Sequence, residues 1–108
     1  MKTVVFKMKI HPGRIEEYQK RHNPIWRELK DLLERKGVLE YRIFYDPENQ
    51  GLYGFAVVRD KREWESVADD PVCRKWWDFM AGVMPTNPDN SPRTFDLLEV
   101  FDIKKQVS

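Results

Sequence analysis

One histidine, two tyrosines and two tryptophans are the side chains whose types and spacing suggest chemistry. His22 follows Tyr18 by four residues, and residues four apart on a helix lie one above the other. An imidazole with an ordinary pKa of about 6.5 can take or give a proton near neutral pH. Trp76 and Trp77 are adjacent and offer flat apolar faces for sugar C–H groups, while Tyr41 adds a hydroxyl. These residues predict a sugar pocket with one histidine in it.

The competing interpretation is that the same side chains are ordinary core residues. Helical spacing alone favours a satisfied core role for His22, but the adjacent Asn23–Pro24 predicts a kink or break that opens backbone polar groups beside it. Trp77 falls on an apolar stripe with Cys73, so core packing competes strongly there. Trp76 is turned by about 100° from Trp77, which makes Trp76 the better candidate for a pocket wall or rim.

Hydrophobic periodicity predicts the elements that position these residues. Strands are expected at Thr3–Ile10, Val38–Tyr45, Leu52–Val58 and Thr94–Ile103. Helices are expected from about Gly13 to Lys36 with an interruption at Pro24, from Asp60 to about Asp69, and from Pro71 onward behind an Asp70 N-cap. The order βαββαβ indicates an α+β, ferredoxin-like domain.

One face of the predicted sheet has no helix to cover it. The third strand is apolar on both sides, with Tyr53, Phe55 and Val57 on one face and Leu52, Ala56 and Val58 on the other. A large exposed apolar patch usually marks an interface. The sequence therefore predicts a homodimer packed sheet to sheet, in which each chain is half of a dimeric α+β barrel.

Composition limits the possible functions. The 108 residues fit a single domain over 1–108, with about 104–108 as a frayed tail. Nineteen basic and 18 acidic residues leave a net charge of +1, which gives no field to attract nucleic acid or an anionic membrane. Cys73 is the single cysteine, which fits a reducing cytoplasm. We find neither a signal peptide nor a transmembrane segment, and neither metal-ligand spacing nor a glycine-rich phosphate loop.

Two segments carry a resemblance to a known family. EEYQKRHNPIW at Glu16–Trp26 and VCRKWW…VMPTNPDNSP at Val72–Pro92 resemble the L-rhamnose mutarotase family. The similarity covers nearly the whole chain, from the first strand to Val100–Phe101. It implies interconversion of the α and β anomers of L-rhamnose by a cytoplasmic homodimer of the dimeric α+β barrel type, without a metal or organic cofactor.

The same resemblance implies roles for individual residues. His22 matches the family's proton donor, and the positions that contact the sugar fall on Tyr18, Tyr41, Trp76 and Trp77. Mutarotation needs a proton moved to the ring oxygen and one removed from the anomeric hydroxyl, and one group with a pKa near 7 can assist in both directions. The sequence does not identify a second proton-transfer group.

Two alternatives remain open on the sequence alone. One is a cofactor-independent monooxygenase or haem-binding domain of the same barrel fold, with the histidine and tryptophans beside an aromatic or haem ligand. The other is a non-catalytic ligand-binding dimer module in which those side chains are core. The fold cannot choose among these functions, because one fold hosts several activities.

Overall fold

The computed structural model describes residues 1–107, which form a four-stranded antiparallel sheet with helices on one face. The elements in chain order are β1 (Lys2–Lys9), α1 (Ile15–His22), α2 (Arg27–Arg35), β2 (Val38–Asp46), β3 (Gly51–Val58), α3 (Lys61–Ser66), α4 (Pro71–Met80) and β4 (Phe95–Asp96), with 3₁₀ turns at Val67–Asp69 and Ile103–Lys105. The sheet order is β2-β3-β1-β4, and each neighbouring pair is antiparallel. The predicted α+β, ferredoxin-like fold is confirmed.

The first predicted helix is divided in two at Pro24. α1 ends at His22 and α2 begins at Arg27, because a proline has no backbone N–H to continue the helical hydrogen bonding. Gly37 lies just past the end of α2 with φ +84°, a left-handed conformation that glycine adopts without steric cost. The predicted break and the predicted helix stop are both confirmed.

Aspartates begin the two helices on the C-terminal side of β3. The Asp60 carboxylate accepts a hydrogen bond from the Arg62 N–H at 3.1 Å, and the Asp70 carboxylate accepts one from the Val72 N–H at 2.9 Å. Each bond satisfies a first-turn donor that has no partner within its helix. The expected helix start at Asp60 and the predicted Asp70 N-cap are both confirmed. The second one fixes the start of α4, which carries both tryptophans of the candidate site.

The last predicted strand is wrong in its length. Thr94–Ile103 was expected to be a strand, but only Phe95–Asp96 pairs with β1. The alternation in this segment favours extended backbone, whereas a strand also needs a neighbouring edge, and beyond Leu97 the described chain provides none. We call residues 97–107 the C-terminal arm. Its large apolar side chains are mostly solvent-exposed, including Leu98 at 86% and Val100 at 95%.

The main core lies between the helices and the inner face of the sheet, the face that carries Phe6, Leu52 and Ala56. Leu32 of α2 is fully buried against it. The opposite, outer face carries Tyr53, Phe55 and Val57, all half-buried. No helix covers the outer face within residues 1–107. The sheet therefore holds one side of a pocket on its inner face. Its outer face has no helix over it, and there the apolar side chains of β3 lie between charged residues of the neighbouring strands, such as Arg42 and Lys7.

Candidate active site

An open cavity of about 1010 Å³ lies between the inner face of the sheet and helices α1 and α4. The five side chains predicted from the sequence all line it: Tyr18, His22, Tyr41, Trp76 and Trp77. They come from three separate elements, since α1 supplies the first two, β2 supplies Tyr41, and α4 supplies the tryptophans. The fold thus brings together residues that are up to 59 positions apart in the sequence.

His22 has one ring nitrogen fixed and one available. Its Nδ1 lies 2.9 Å from the main-chain oxygen of Tyr18. A carbonyl only accepts, so Nδ1 carries the proton and Nε2 has a free lone pair when the ring is neutral. Burial of the imidazole lowers the pKa of His22 below its ordinary value of 6.5. The neutral form therefore predominates at pH 7, with Nε2 able to accept a proton.

Two aromatic rings hold the imidazole in place. The Tyr18 ring is stacked on His22 with centroids 4.2 Å apart and planes at 24°. Trp76 meets His22 edge to face, at 5.1 Å and 87°. Such pairs prefer these geometries and contribute about 0.5–1.5 kcal/mol each beyond their buried area. The orientation of the catalytic candidate therefore depends on α4 as well as on its own helix.

The two tyrosines are neutral hydroxyl donors and acceptors. Burial raises the pKa of Tyr18 and of Tyr41 well above the ordinary value of 10. No residue of 1–107 forms a hydrogen bond with either hydroxyl. Each hydroxyl is consequently free to bind a polar ligand, and neither is suited to act as a strong base.

Tyr41 is braced by two rings that the sequence analysis did not single out. Trp64 of α3 lies 5.4 Å from the Tyr41 ring, and Phe6 of β1 lies 6.2 Å from it, both edge to face. Trp64 also lines the cavity. It stands in a helix of six residues, which is too short to show a clear hydrophobic period, and no motif marked it.

The two tryptophans exchange the roles that the helical stripe predicted. Trp76 is the buried one, only 8% exposed, whereas Trp77 is half-buried at the side of α4. The buried stripe runs through Cys73, Trp76 and Met80 at steps of three and four residues. Trp77 instead lies under the guanidinium of Arg74, 5.2 Å from its ring centre. The expectation that Trp77 is core and Trp76 is the rim is therefore wrong, although both rings reach the cavity.

The proline-rich loop forms a polar wall of the cavity. Asn87, Asn90 and Ser91 line it. The loop is tied to α4 twice, by the Asn90 amide donating to Asp78 at 3.0 Å and by an Arg74–Asp89 pair at 3.5 Å. Asp89 also accepts a hydrogen bond from the Ser91 N–H at 3.0 Å, the local role expected from an aspartate in a turn.

Other chemistries find little support in this part of the chain. Burial raises the pKa of the Cys73 thiol to about 11, so the thiolate needed for nucleophilic attack is scarce at neutral pH. Residues 1–107 contain no group of three or more histidine, cysteine or carboxylate side chains placed to hold a metal ion. None of the described helices has both the length and the apolar composition needed to cross a bilayer.

Structural comparison identifies relatives at two levels of similarity. The crystal structure of L-rhamnose mutarotase from Formosa agariphila superimposes with a TM-score of 0.87 at 43% identity, covering 95% of this chain and 99% of that one. A putative antibiotic biosynthesis monooxygenase from Nitrosomonas europaea gives a TM-score of 0.62 at 7% identity. The second similarity is evidence of a shared fold alone.

Sequence comparison agrees with the first of these. The chain is 44% identical over 98 residues to L-rhamnose mutarotase of Lachnoclostridium phytofermentans, covering 91% of this chain and 94% of the relative. It is 46% identical over 96 residues to L-rhamnose mutarotase of Klebsiella pneumoniae strain 342, covering 89% and 92%. The family profile described as L-rhamnose mutarotase matches residues 3–103. The chain therefore belongs to the L-rhamnose mutarotase family.

Proposed function

We propose that the protein interconverts the α and β anomers of L-rhamnose, with His22 as the acid-base residue. The observation that carries the proposal is the bond from His22 Nδ1 to the Tyr18 carbonyl, which leaves Nε2 free in a cavity with two unpartnered tyrosine hydroxyls. The cavity offers one proton-transfer group, neutral hydroxyls that can hydrogen-bond to sugar hydroxyls, and aromatic faces that can pack on sugar C–H groups. This combination suits a neutral sugar. The reaction also proceeds slowly in water, so a catalyst without strong nucleophiles is sufficient.

Ring opening begins at the anomeric hydroxyl. Nε2 of neutral His22 takes the proton of that hydroxyl, the bond between C1 and the ring oxygen breaks, and the ring oxygen takes a proton from solvent in the open cavity. Rotation about the C1–C2 bond turns the other face of the aldehyde toward the ring oxygen. Closure reverses the proton transfers, so the imidazolium donates its proton back to O1. The same nitrogen is thus base in one half of the reaction and donor in the other.

The other lining residues bind the substrate. Tyr18 and Tyr41 hydrogen-bond to sugar hydroxyls, because their own hydroxyls remain protonated and have no partner in the described chain. Trp76 and Trp77 provide apolar faces for the C–H groups and for the 6-methyl edge of the sugar. The monooxygenase or haem-binding alternative is supported only by the fold. A module in which these side chains are core does not explain why all five line an open cavity.

The test is exchange between the anomeric protons of L-rhamnose, measured by NMR with catalytic amounts of protein. His22→Ala is expected to lower the exchange rate by about 10²–10⁴-fold, the usual contribution of a general acid-base group. His11→Ala is the matched control, since His11 is exposed on the turn after β1. Full activity in a folded His22→Ala variant overturns the assignment of the residue. Absence of wild-type exchange with L-rhamnose overturns the substrate.

We further propose that a second copy of the chain covers the outer face, giving a cytoplasmic homodimer. Phe44 is 54% exposed at one end of that face, and the C-terminal arm extends from β4 at the edge of the same sheet. Extended apolar chain beside a sheet edge readily pairs with a second molecule. The single free thiol, Cys73, agrees with a reducing compartment.

Sedimentation velocity tests the dimer directly. The wild type is expected at twice the mass of 13.0 kDa. Phe55→Lys places an ammonium in the middle of the outer face, directly across from Arg42 of β2, and is expected to give monomers, because a buried unpaired charge is costly. Glu48→Gln, which also raises the net charge by one but lies at an exposed position between β2 and β3, is the control. A wild-type monomer at micromolar concentration contradicts this proposal.

A further inference from the structure

Arg21 links the two helices that form the wall of the cavity. It precedes His22 on α1, and its guanidinium donates a hydrogen bond to the main-chain oxygen of Phe79. That oxygen lies in the last turn of α4, where carbonyls have no donor within the helix. The guanidinium also lies 4.7 Å from the centre of the Phe79 ring. One side chain of α1 therefore contacts both the backbone and the ring of one α4 residue.

The position of this guanidinium is well defined. Glu17, one turn earlier on α1, places a carboxylate oxygen 3.5 Å from Nε of Arg21, and the Arg21 side chain is only 21% exposed. A planar guanidinium can donate in its plane while its face packs on an aromatic ring. Lysine reproduces the charge and one donor but not the flat contact. The geometry thus uses properties that belong to arginine.

A continuous series of ring contacts leads from Arg21 to the imidazole. Phe79 packs on Trp76 with ring centres 5.6 Å apart, and Trp76 meets His22 at 5.1 Å. Trp26 supports the middle of the series, at 5.1 Å from Trp76 and 5.3 Å from Phe79. A shift of Phe79 therefore changes the surface against which the histidine ring rests.

We propose that Arg21 is a positioning residue for His22, acting through Phe79 and Trp76. By holding the end of α4 against α1, it keeps Trp76 edge to face with the imidazole and so sets the direction of Nε2. The activity readout of this inference rests on the proposed function. Displacement of a reacting group by about 1 Å can cost about 10²-fold in rate even when the change is remote from the chemistry.

The experiment compares Arg21→Gln and Arg21→Lys with Lys20→Gln, a control at the exposed neighbouring position of the same helix. Anomer exchange gives kcat and KM. In parallel, one-dimensional NMR follows the ring protons of the two histidines. The Tyr18 and Trp76 rings shift the His22 signals by their ring currents. The exposed His11 side chain packs on neither ring and serves as an internal reference. This second readout needs no substrate.

We expect Arg21→Gln to lower kcat by about tenfold or more while KM changes by no more than about twofold, because the sugar contacts remain. The His22 signals are expected to move toward those of an unstructured histidine, with His11 unchanged. Arg21→Lys is expected to lie between the wild type and Arg21→Gln in both readouts. Lys20→Gln is expected to match the wild type.

Three results overturn the proposal: unchanged kcat in Arg21→Gln, a lower kcat with unmoved His22 signals, or complete restoration by lysine, which would indicate a role of charge alone. If Arg21→Gln does not fold, the lysine variant decides, since unmoved His22 signals there also contradict the proposal. If the wild type exchanges no sugar, the proposed function fails separately. The NMR comparison then still decides whether Arg21 orients the imidazole.

Discussion

Gly54→Ala is expected to destabilise the protein, because the ring of Phe6 occupies the space where the new methyl group would lie. An ideal Cβ at Gly54 comes within 2.4 Å of Phe6 Cζ and within 2.7 and 2.8 Å of its two Cε atoms. Carbon atoms prefer about 3.5 Å or more, so the ring must retreat by roughly 1 Å. Tyr41 and Trp64, each 6.2 Å from the Phe6 ring centre, are packed against that ring and receive part of the displacement.

The magnitude follows from two opposing effects. Forcing an extra methyl group into a packed core typically costs about 1–3 kcal/mol of unfolding free energy. Replacing glycine with alanine also restricts the unfolded chain, which returns about 0.4–1 kcal/mol. The expected net loss at Gly54 therefore lies between about 0 and 2.6 kcal/mol, centred near 1.3 kcal/mol. For a domain of this size, each kcal/mol corresponds to a fall in Tm of about 4–8 °C.

Urea unfolding followed by tryptophan fluorescence measures the loss, and the chain offers a matched control. Gly82→Ala meets no atom within 4 Å, so only the effect on the unfolded chain remains and its unfolding free energy is expected to rise by about 0.4–1 kcal/mol. Phe6→Leu in the Gly54→Ala background removes the clashing ring atoms, so the two costs should sum to less than their separate values. Equal stability of Gly54→Ala and Gly82→Ala, or strict additivity with Phe6→Leu, refutes the packing argument.

Three further predictions concern protonation and helix capping. Catalysis by neutral His22 should be lost as the pH falls through the pKa of that residue, which burial places below 6.5; an exchange rate that rises on acidification contradicts the mechanism. Because the pKa of His22 is lower in the folded chain than in the unfolded chain, the unfolded chain binds a proton at this residue at a higher pH. The free energy of unfolding should therefore fall as the pH drops below 6.5. Urea titrations of His22→Gln should show a smaller fall over the same pH range. Asp70→Ala removes the acceptor of the Val72 N–H and should cost about 0.5–2 kcal/mol by urea unfolding; Asp69→Ala, at the exposed neighbouring position, should cost much less.

Local chemistry in the sequence was sufficient to predict most of the elements. Pro24 cannot continue a helix, Gly37 permits the left-handed turn that ends one, and Asp60 and Asp70 supply the acceptors that begin two others. Each of these effects acts within a few residues, so the local sequence is enough to predict it. The alternation of Thr3–Ile10 likewise located the inner-face residues of β1.

The sequence-based predictions were wrong where the environment of a residue depends on parts of the chain that are distant in sequence. Both tryptophans are compatible with the stripe of α4. Contacts with His22 and Trp26, from outside that helix, decide that Trp76 is the covered one. Similarly, Thr94–Ile103 has the alternation of a strand, yet pairing stops after Leu97 for lack of an adjacent edge. The sequence analysis missed Trp64 because this residue contributes to the site through a ring contact with Tyr41, which belongs to a different element.

The end of α1 explains how a partly buried imidazole keeps one nitrogen available. Because Pro24 stops the helix, carbonyls of the last turn need donors from elsewhere. The Asn23 amide supplies one to the Gln19 oxygen at 2.7 Å. The Tyr18 carbonyl lies four residues before His22, within reach of the helical N–H of that residue, and His22 Nδ1 adds a second donor to its oxygen at 2.9 Å. With the Nδ1 proton engaged in this way, the tautomer is fixed and Nε2 is the nitrogen left for proton transfer. The proline that interrupts the helical pattern therefore lies beside the bonds that prepare the histidine for catalysis.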